Sequence, residues 1–83
     1  MFSILKAFQI KLDKQQSFLE ISYTPKSSKP TYDICDLDGR VIKSGLVNRK
    51  KMRLKVGDLI NSSYMLLILD GEHVTSKRFQ ISR

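Results

Sequence analysis

The sequence has one cysteine, Cys35, and one histidine, His73. A lone cysteine closes no internal disulfide, and a zinc centre needs several Cys or His ligands. Both staples of small domains are missing, so the chain must be held together by an apolar core. Tryptophan is absent, and there are only two prolines and four glycines in 83 residues. That excludes collagen-like and Pro/Gly-rich disordered composition. No apolar run approaches the roughly 20 residues of a membrane helix. The longest, Tyr64 to Leu69, is strand-sized. The first residues lack the apolar stretch of a secretory signal. Two expectations follow: a cytoplasmic protein if the chain is complete, or a piece of a larger exported one. Negative charge is scarce too. Eight Asp and Glu oppose fifteen Lys and Arg, a formal net charge of +7. Such an excess favours acidic partners, such as nucleic acid or an anionic polymer, or simply maintains solubility.

What is present reads as β structure in one domain spanning residues 1–83. Phe8, Ile10 and Leu12 alternate with Gln9 and Lys11, the period of a strand. Residues 1–7 suit either a disordered or a short helical lead-in. Leu19, Ile21 and Tyr23 form one face of a strand over 18–24. The segment Pro25 to Pro30 cannot sustain a ladder and reads as a loop, suited to joining strands in different sheets. Thr31 to Leu37 is expected as a strand with Tyr32, Ile34 and Leu37 as its apolar positions. Asp38-Gly39 then predicts a type I′ hairpin turn, with positive φ at both central residues. Arg40 to Ser44 returns as its partner and Gly45 is expected to break it.

Lys51 to Val56 alternates Met52, Leu54 and Val56 with Lys51, Arg53 and Lys55, which predicts one core face and one cationic face. The apolar run at Tyr64 to Leu69 predicts a central strand covered on both sides. Asp70-Gly71 predicts a second hairpin, explained by turn geometry alone, leading into a last strand over 73–82. Six or seven short antiparallel strands with turn signals every 8–12 residues argue an all-β, small immunoglobulin-like sandwich or a small barrel.

Few residues suggest chemistry. Asp33, Asp36 and Asp38 lie close together but lack the closing carboxylate of a calcium loop, and read as strand-end acids. His73 has no nucleophile or cleft marked near it. Cys35, inside a strand, reads as a small hydrophobe. No nucleophile elbow, phosphate loop or zincin motif occurs. Catalysis, a metal and a cofactor are therefore not expected. Arg49, Lys50, Lys51, Arg53 and Lys55 form the densest basic run. It suits phosphate binding or a solvated strand whose lysines discourage edge pairing. Tyr64 and Phe79 read as core residues rather than stacking platforms for nucleic acid.

From Tyr32 onward the chain resembles the C-terminal sorting domain of cargo proteins of the bacterial type IX (Por) secretion system. The resemblance is carried by Tyr32-Asp33-Ile34-Cys35-Asp36-Leu37-Asp38-Gly39-Arg40-Val41, with Gly45 following. Leu59, then Ser63-Tyr64-Met65-Leu66-Leu67-Ile68, then Lys77-Arg78-Phe79-Gln80-Ile81 match the later motif. No Pro-Asn-Pro motif opens the chain, and Ser63 and Cys35 stand where glycine and an aromatic are common. The resemblance implies an immunoglobulin-like sandwich that docks on outer-membrane secretion machinery and is removed after translocation. It also implies a cell-surface or secreted destination for the protein carrying it. Recognition is implied at Asp36, Leu37, Gly39, Arg40, Lys77, Arg78 and Phe79.

Overall fold

The computed structural model describes residues 8–83; the lead-in expected over 1–7 lies outside them. Seven strands follow: β1 (Phe8–Leu12), β2 (Phe18–Tyr23), β3 (Thr31–Cys35), β4 (Val41–Leu46), β5 (Lys51–Lys55), β6 (Ser62–Asp70) and β7 (His73–Ile81). They form two antiparallel sheets, β1-β2-β5 and β4-β3-β6-β7. The first, second and fifth strands face the other four, the wiring of a small immunoglobulin-like sandwich. The 25–30 segment is the loop between the sheets, as expected.

Alternation places the core. Leu19, Ile21 and Tyr23 of β2 and Leu54 of β5, with Val56 just beyond, face Ile34, Tyr64, Leu66, Ile68, Phe79 and Ile81 of the second sheet. Each fully buried Leu or Ile contributes about 1.5–3 kcal/mol relative to exposure. Val47 and Leu59 enter from loops and close the two flanks. At one end, the Arg83 guanidinium donates to the carbonyls of Leu59, Val56 and Gln16 at 2.7–2.9 Å. Gln16, at φ 56°, also exchanges hydrogen bonds with the Ser82 backbone.

Four expectations need correcting. The strand β3 stops at Cys35, and Leu37 is 67% exposed. Leu37 is apolar but out of phase with Tyr32 and Ile34, and it belongs to the turn rather than to the strand. Gly45 does not break β4. It lies within the strand opposite Tyr32, whose ring covers it; an added Cβ would meet that ring at 2.7 Å. Glycine is the residue that admits this close approach. The run in β6 is central in its sheet but covered on one side only. Tyr64, Leu66 and Ile68 are buried, whereas Met65 is exposed and Leu67 and Leu69 are half-buried on the outer face.

Neither hairpin is type I′. Asp70 pairs with His73, so the central residues are Gly71 and Glu72, and only Gly71 has positive φ, 63°. That is the type II′ pattern, with glycine first.

Asp70 does more than close a turn. It continues the buried parity of Tyr64, Leu66 and Ile68 and is itself 0% exposed. Its carboxylate accepts from the Tyr23 hydroxyl at 2.5 Å, Lys26 N at 2.6 Å and Ser27 N at 2.8 Å. Burial alone would raise its pKa, but donors from Ser27, Tyr23 and Lys26 outweigh that and hold it well below the usual carboxylate range. Burial, then the bond to Asp70, pushes the Tyr23 phenol up to about 12.

Removing the hydroxyl in Tyr23→Phe is expected to lower stability by about 1–2 kcal/mol in urea unfolding, the loss of one buried hydrogen bond. Asp70→Ala is expected to lose more, because it orphans three donors.

The pKa shifts give the pH dependence its sign. Asp70, depressed in the fold, contributes stability above its unfolded pKa of about 4, lost as pH falls below that value. Tyr23, raised in the fold, contributes stability below pH 10 that is lost as pH rises through about 12. Urea midpoints measured from pH 2 to 12 should show a shallower acid limb in Asp70→Asn. Tyr23→Phe should show a shallower alkaline limb. Limbs as steep as those of the parent protein would contradict the assignment.

Candidate docking site

Asp36 organises the first hairpin. Gly39 N donates to Asp36 O at 3.1 Å and Asp36 N to Arg40 O at 3.0 Å, so three residues, Leu37 to Gly39, form the loop. Positive φ occurs at Gly39 alone, 82°. This is a type I turn followed by a left-handed residue, the usual three-residue hairpin. The predicted type I′ turn is replaced because the loop closes around three residues rather than two. A bulge follows: Ile34 pairs with Lys43 but Cys35 with Val41, leaving Ile42 extra.

The Asp36 carboxylate fixes this loop from inside. One oxygen accepts from the Asp38 and Arg40 amides, each at 2.9 Å, and the other from Arg40 Nε at 2.9 Å. Arg40 Nη2 also reaches Asp38 at 3.3 Å. The bond from the Arg40 amide is the main reason that the Asp36 pKa lies below its ordinary value; burial opposes it. The tip is thus rigid while its side chains face outward. Leu37, with Ile42 (43% exposed) and Ile60 (77% exposed), rims an open groove floored by Tyr64. The Tyr64 hydroxyl donates to Ile60 O at 2.6 Å and holds that rim in place.

Ile42 and Ile60 were not singled out in the sequence. Ile60 did leave a signal: it follows Leu59 in a short loop, and two adjacent apolar residues there cannot both face the core. Leu59 does, at 6% exposure.

The closing strand divides the other expected recognition residues. Phe79 is buried and stacks on Tyr64 at 5.6 Å. Lys77 lies over the Phe8 ring at 5.8 Å, toward the first sheet. Arg78 points outward in a cross-strand row with Met65, Cys35 and Val41, at the hairpin's end of the sheet. The structure thus brings Arg78 toward Asp36, Leu37, Gly39 and Arg40, and separates Lys77 and Phe79 from them.

The basic run lies on the other sheet. Lys51, Arg53 and Lys55 project from β5, and Arg49 and Lys50 are exposed just before it. Arg53 sits 4.1 Å over the Phe18 ring and 3.8 Å from Glu20.

Among the described residues, no three His, Cys, Asp or Glu side chains come together as a metal site. Burial, then the charges of Asp33 and Asp36, pushes the Cys35 thiol up, away from a reactive thiolate. His73 is exposed at the start of β7.

Two packed antiparallel sheets, with an ordered turn beside an open groove at one end, define a β-sandwich module of immunoglobulin-like architecture. A search among curated proteins finds no match. The family model for the secretion system C-terminal sorting domain matches residues 15–82. The chain belongs to that family and is a type IX secretion sorting module.

Gly39→Ala isolates the turn's contribution. An added Cβ has nothing within 4 Å, so only the φ of 82° opposes it. The substitution is expected to cost about 1 kcal/mol. That lowers the melting temperature by roughly 4–8 °C in a domain this size. An unchanged melting temperature would show that the turn relaxes freely.

Proposed function

We propose that the Asp36–Arg40 hairpin is the surface through which this sorting module is read by its secretion machinery, and that Leu37 and Arg40 make the central contacts. One observation carries the reading: Asp36 spends its carboxylate on the loop's own amides and on Arg40, so Leu37 and Arg40 are held outward in one geometry. A pre-ordered apolar side chain beside a planar guanidinium loses little freedom on binding. Ile42 and Ile60 extend the apolar contact, and Arg78 adds a cation at the same end of the sheet. Lys77 and Phe79 support the reading indirectly, by packing the closing strand against Phe8 and Tyr64.

The partner that fits is a protein at the outer membrane with an apolar pocket flanked by acceptors. The protein carrying this module is then delivered to the cell surface or the medium. Nucleic acid, the alternative suggested by charge, is not favoured by the hairpin or the family.

Fusion of residues 1–83 to an exported reporter in a type IX-competent bacterium tests this reading. The parent module should deliver the reporter to the surface or medium. Leu37→Asp and Arg40→Glu should each reduce delivery by about tenfold or more, as for a central contact residue. Melting temperatures of the isolated variants confirm that they fold. Delivery at the parent level by both folded variants would place the contact elsewhere.

A further inference from the structure

The open edge of β5 is built to accept one kind of strand. Tyr23 N donates to Lys50 O, and Val56 N donates to Ser17 O. With Ile21 opposite Met52 and Leu19 opposite Leu54, the even-numbered residues of this strand exchange their main-chain bonds with β2. The N–H and C=O groups of Lys51, Arg53 and Lys55 therefore point away from β2, along the edge of the sheet. Among the described residues, no strand pairs with that edge. An open depression beside it is lined by Asn48, Arg49, Lys51, Met52 and Arg53 and by no residue of β2.

The residues whose main-chain groups are free are the same three that carry the cations. Among the described residues, one carboxylate lies within ion-pair reach of them, Glu20 at 3.8 Å from Arg53. The edges of the other sheet, β4 and β7, differ in ways that matter. The edge strand β4 carries the bulge at Ile42, which spoils a continuous ladder. Along β7, Lys77 shares the inward parity of Phe79 and Ile81 and reaches over the Phe8 ring, an inward-pointing charge of the kind that blunts an edge. β5 has neither device. Its three cations repel a second copy of itself, since like charges directly opposite one another destabilise a pair.

We propose that β5 is a second docking edge, which binds an extended segment of a partner protein in which acidic residues alternate with apolar ones. In an added antiparallel strand, three acidic side chains stand directly across from Lys51, Arg53 and Lys55. The intervening apolar side chains lie beside Met52 and Leu54, continuing the inner face. The main chain supplies affinity, and charge selects the partner's register and excludes self-pairing. This edge belongs to the opposite sheet from the Asp36–Arg40 hairpin, and the inference stands whether or not the hairpin is the sorting contact.

The test uses the isotope-labelled domain, residues 1–83, and two synthetic peptides of one composition. One contains Glu-Val-Glu-Val-Glu; the other contains the same residues as Glu-Glu-Glu-Val-Val. The alternating peptide should shift the amide resonances of Lys51, Arg53 and Lys55 and slow their hydrogen exchange by about tenfold, as for newly bonded amides. The amides of Met52 and Leu54, already bonded to β2, should keep their exchange rates. K51E/R53E/K55E should weaken binding by about tenfold or more, and R40E should leave it unchanged. The dispersed spectrum of each variant reports its fold. Equal binding of the block peptide, or shifts scattered over surface lysines without exchange protection, would reduce the edge to a non-specific cationic patch. Absence of binding by the alternating peptide to the folded parent domain would also overturn the proposal.

Discussion

The crossing between the two sheets depends on the carboxylate of Asp70. A loop that leaves one sheet at Tyr23 and enters the other at Thr31 has no ladder of its own, and its amides still need acceptors. Asp70 supplies two of them, to Lys26 and Ser27, and binds Tyr23 as well. One side chain thereby ties together the last core residue of β2, the crossing, and the end of β6. Apolar contact between the sheets is larger in total but non-directional. The Asp70 bonds have direction, and they align the strands that meet at this end. Ionised in a buried place, the carboxylate would be costly without partners. With donors on both oxygens it becomes a strong constraint, and the buried Pro30 and the half-buried Thr31 are delivered to the start of β3.

The architecture was legible in the sequence because alternation is cheap to read and hard to fake. Leu19, Ile21 and Tyr23, or Met52, Leu54 and Val56, leave one possible inner face. The positions of the hairpins were legible for a similar reason, since Asp-Gly ends a strand. Their conformations were not. The number of residues enclosed depends on which cross-strand pair closes, and that is settled by the Asp36 carboxylate in one hairpin and by the Asp70–His73 pair in the other. Asp70 itself was hidden by its polarity. Its spacing from Tyr64, Leu66 and Ile68 marked it as inward-facing, yet an acidic residue before glycine reads first as part of a turn. Leu37 is the opposite case: an apolar residue next to the strand, out of phase with Tyr32 and Ile34, belongs to the loop. Ile42 falls within the strand expected over Arg40 to Ser44, but the bulge that turns it toward the groove follows from loop closure, which single-residue preferences do not encode.

The same side-chain economy explains the surface charge. Asp13 accepts from the Ser17 and Phe18 amides, Asp36 from those of Asp38 and Arg40, and Asp70 from those of Lys26 and Ser27. Asp58 is paired with Lys43 at 2.9 Å. These four of the eight acidic residues are spent on loops and turns. Lysine and arginine, by contrast, stay mainly at the surface, where long side chains keep their charges in water. The excess of +7 is therefore exposed more fully than the composition implies. It is also uneven: the outer face of β5 is cationic, whereas Leu46, Leu69 and Val74 lie along one row of the opposite outer face, with Thr31.

That unevenness bears on how the hairpin can be read. Arg40 is 75% exposed at its side chain, but Asp36 and Asp38 already sit against its guanidinium. Exposed ion pairs of this kind contribute little stability, typically below about 1 kcal/mol. Their larger effect here is on the field around the tip, because two carboxylates offset the one cation. On the proposed reading, a partner approaching Leu37 meets a turn on which Asp36 and Asp38 more than offset Arg40, with its donors fixed in direction. Charge thus does little to draw a partner to this end of the sandwich. With the hairpin as the proposed contact, selection there falls to shape: the angle at which Gly39 presents Leu37, the bulge that exposes Ile42, and the Tyr64 bond that holds Ile60 in the rim. The cations of β5 have one carboxylate within ion-pair reach among the described residues, Glu20, and so keep most of their charge for long-range attraction. On the two proposals together, attraction and fit fall to different sheets of one small domain.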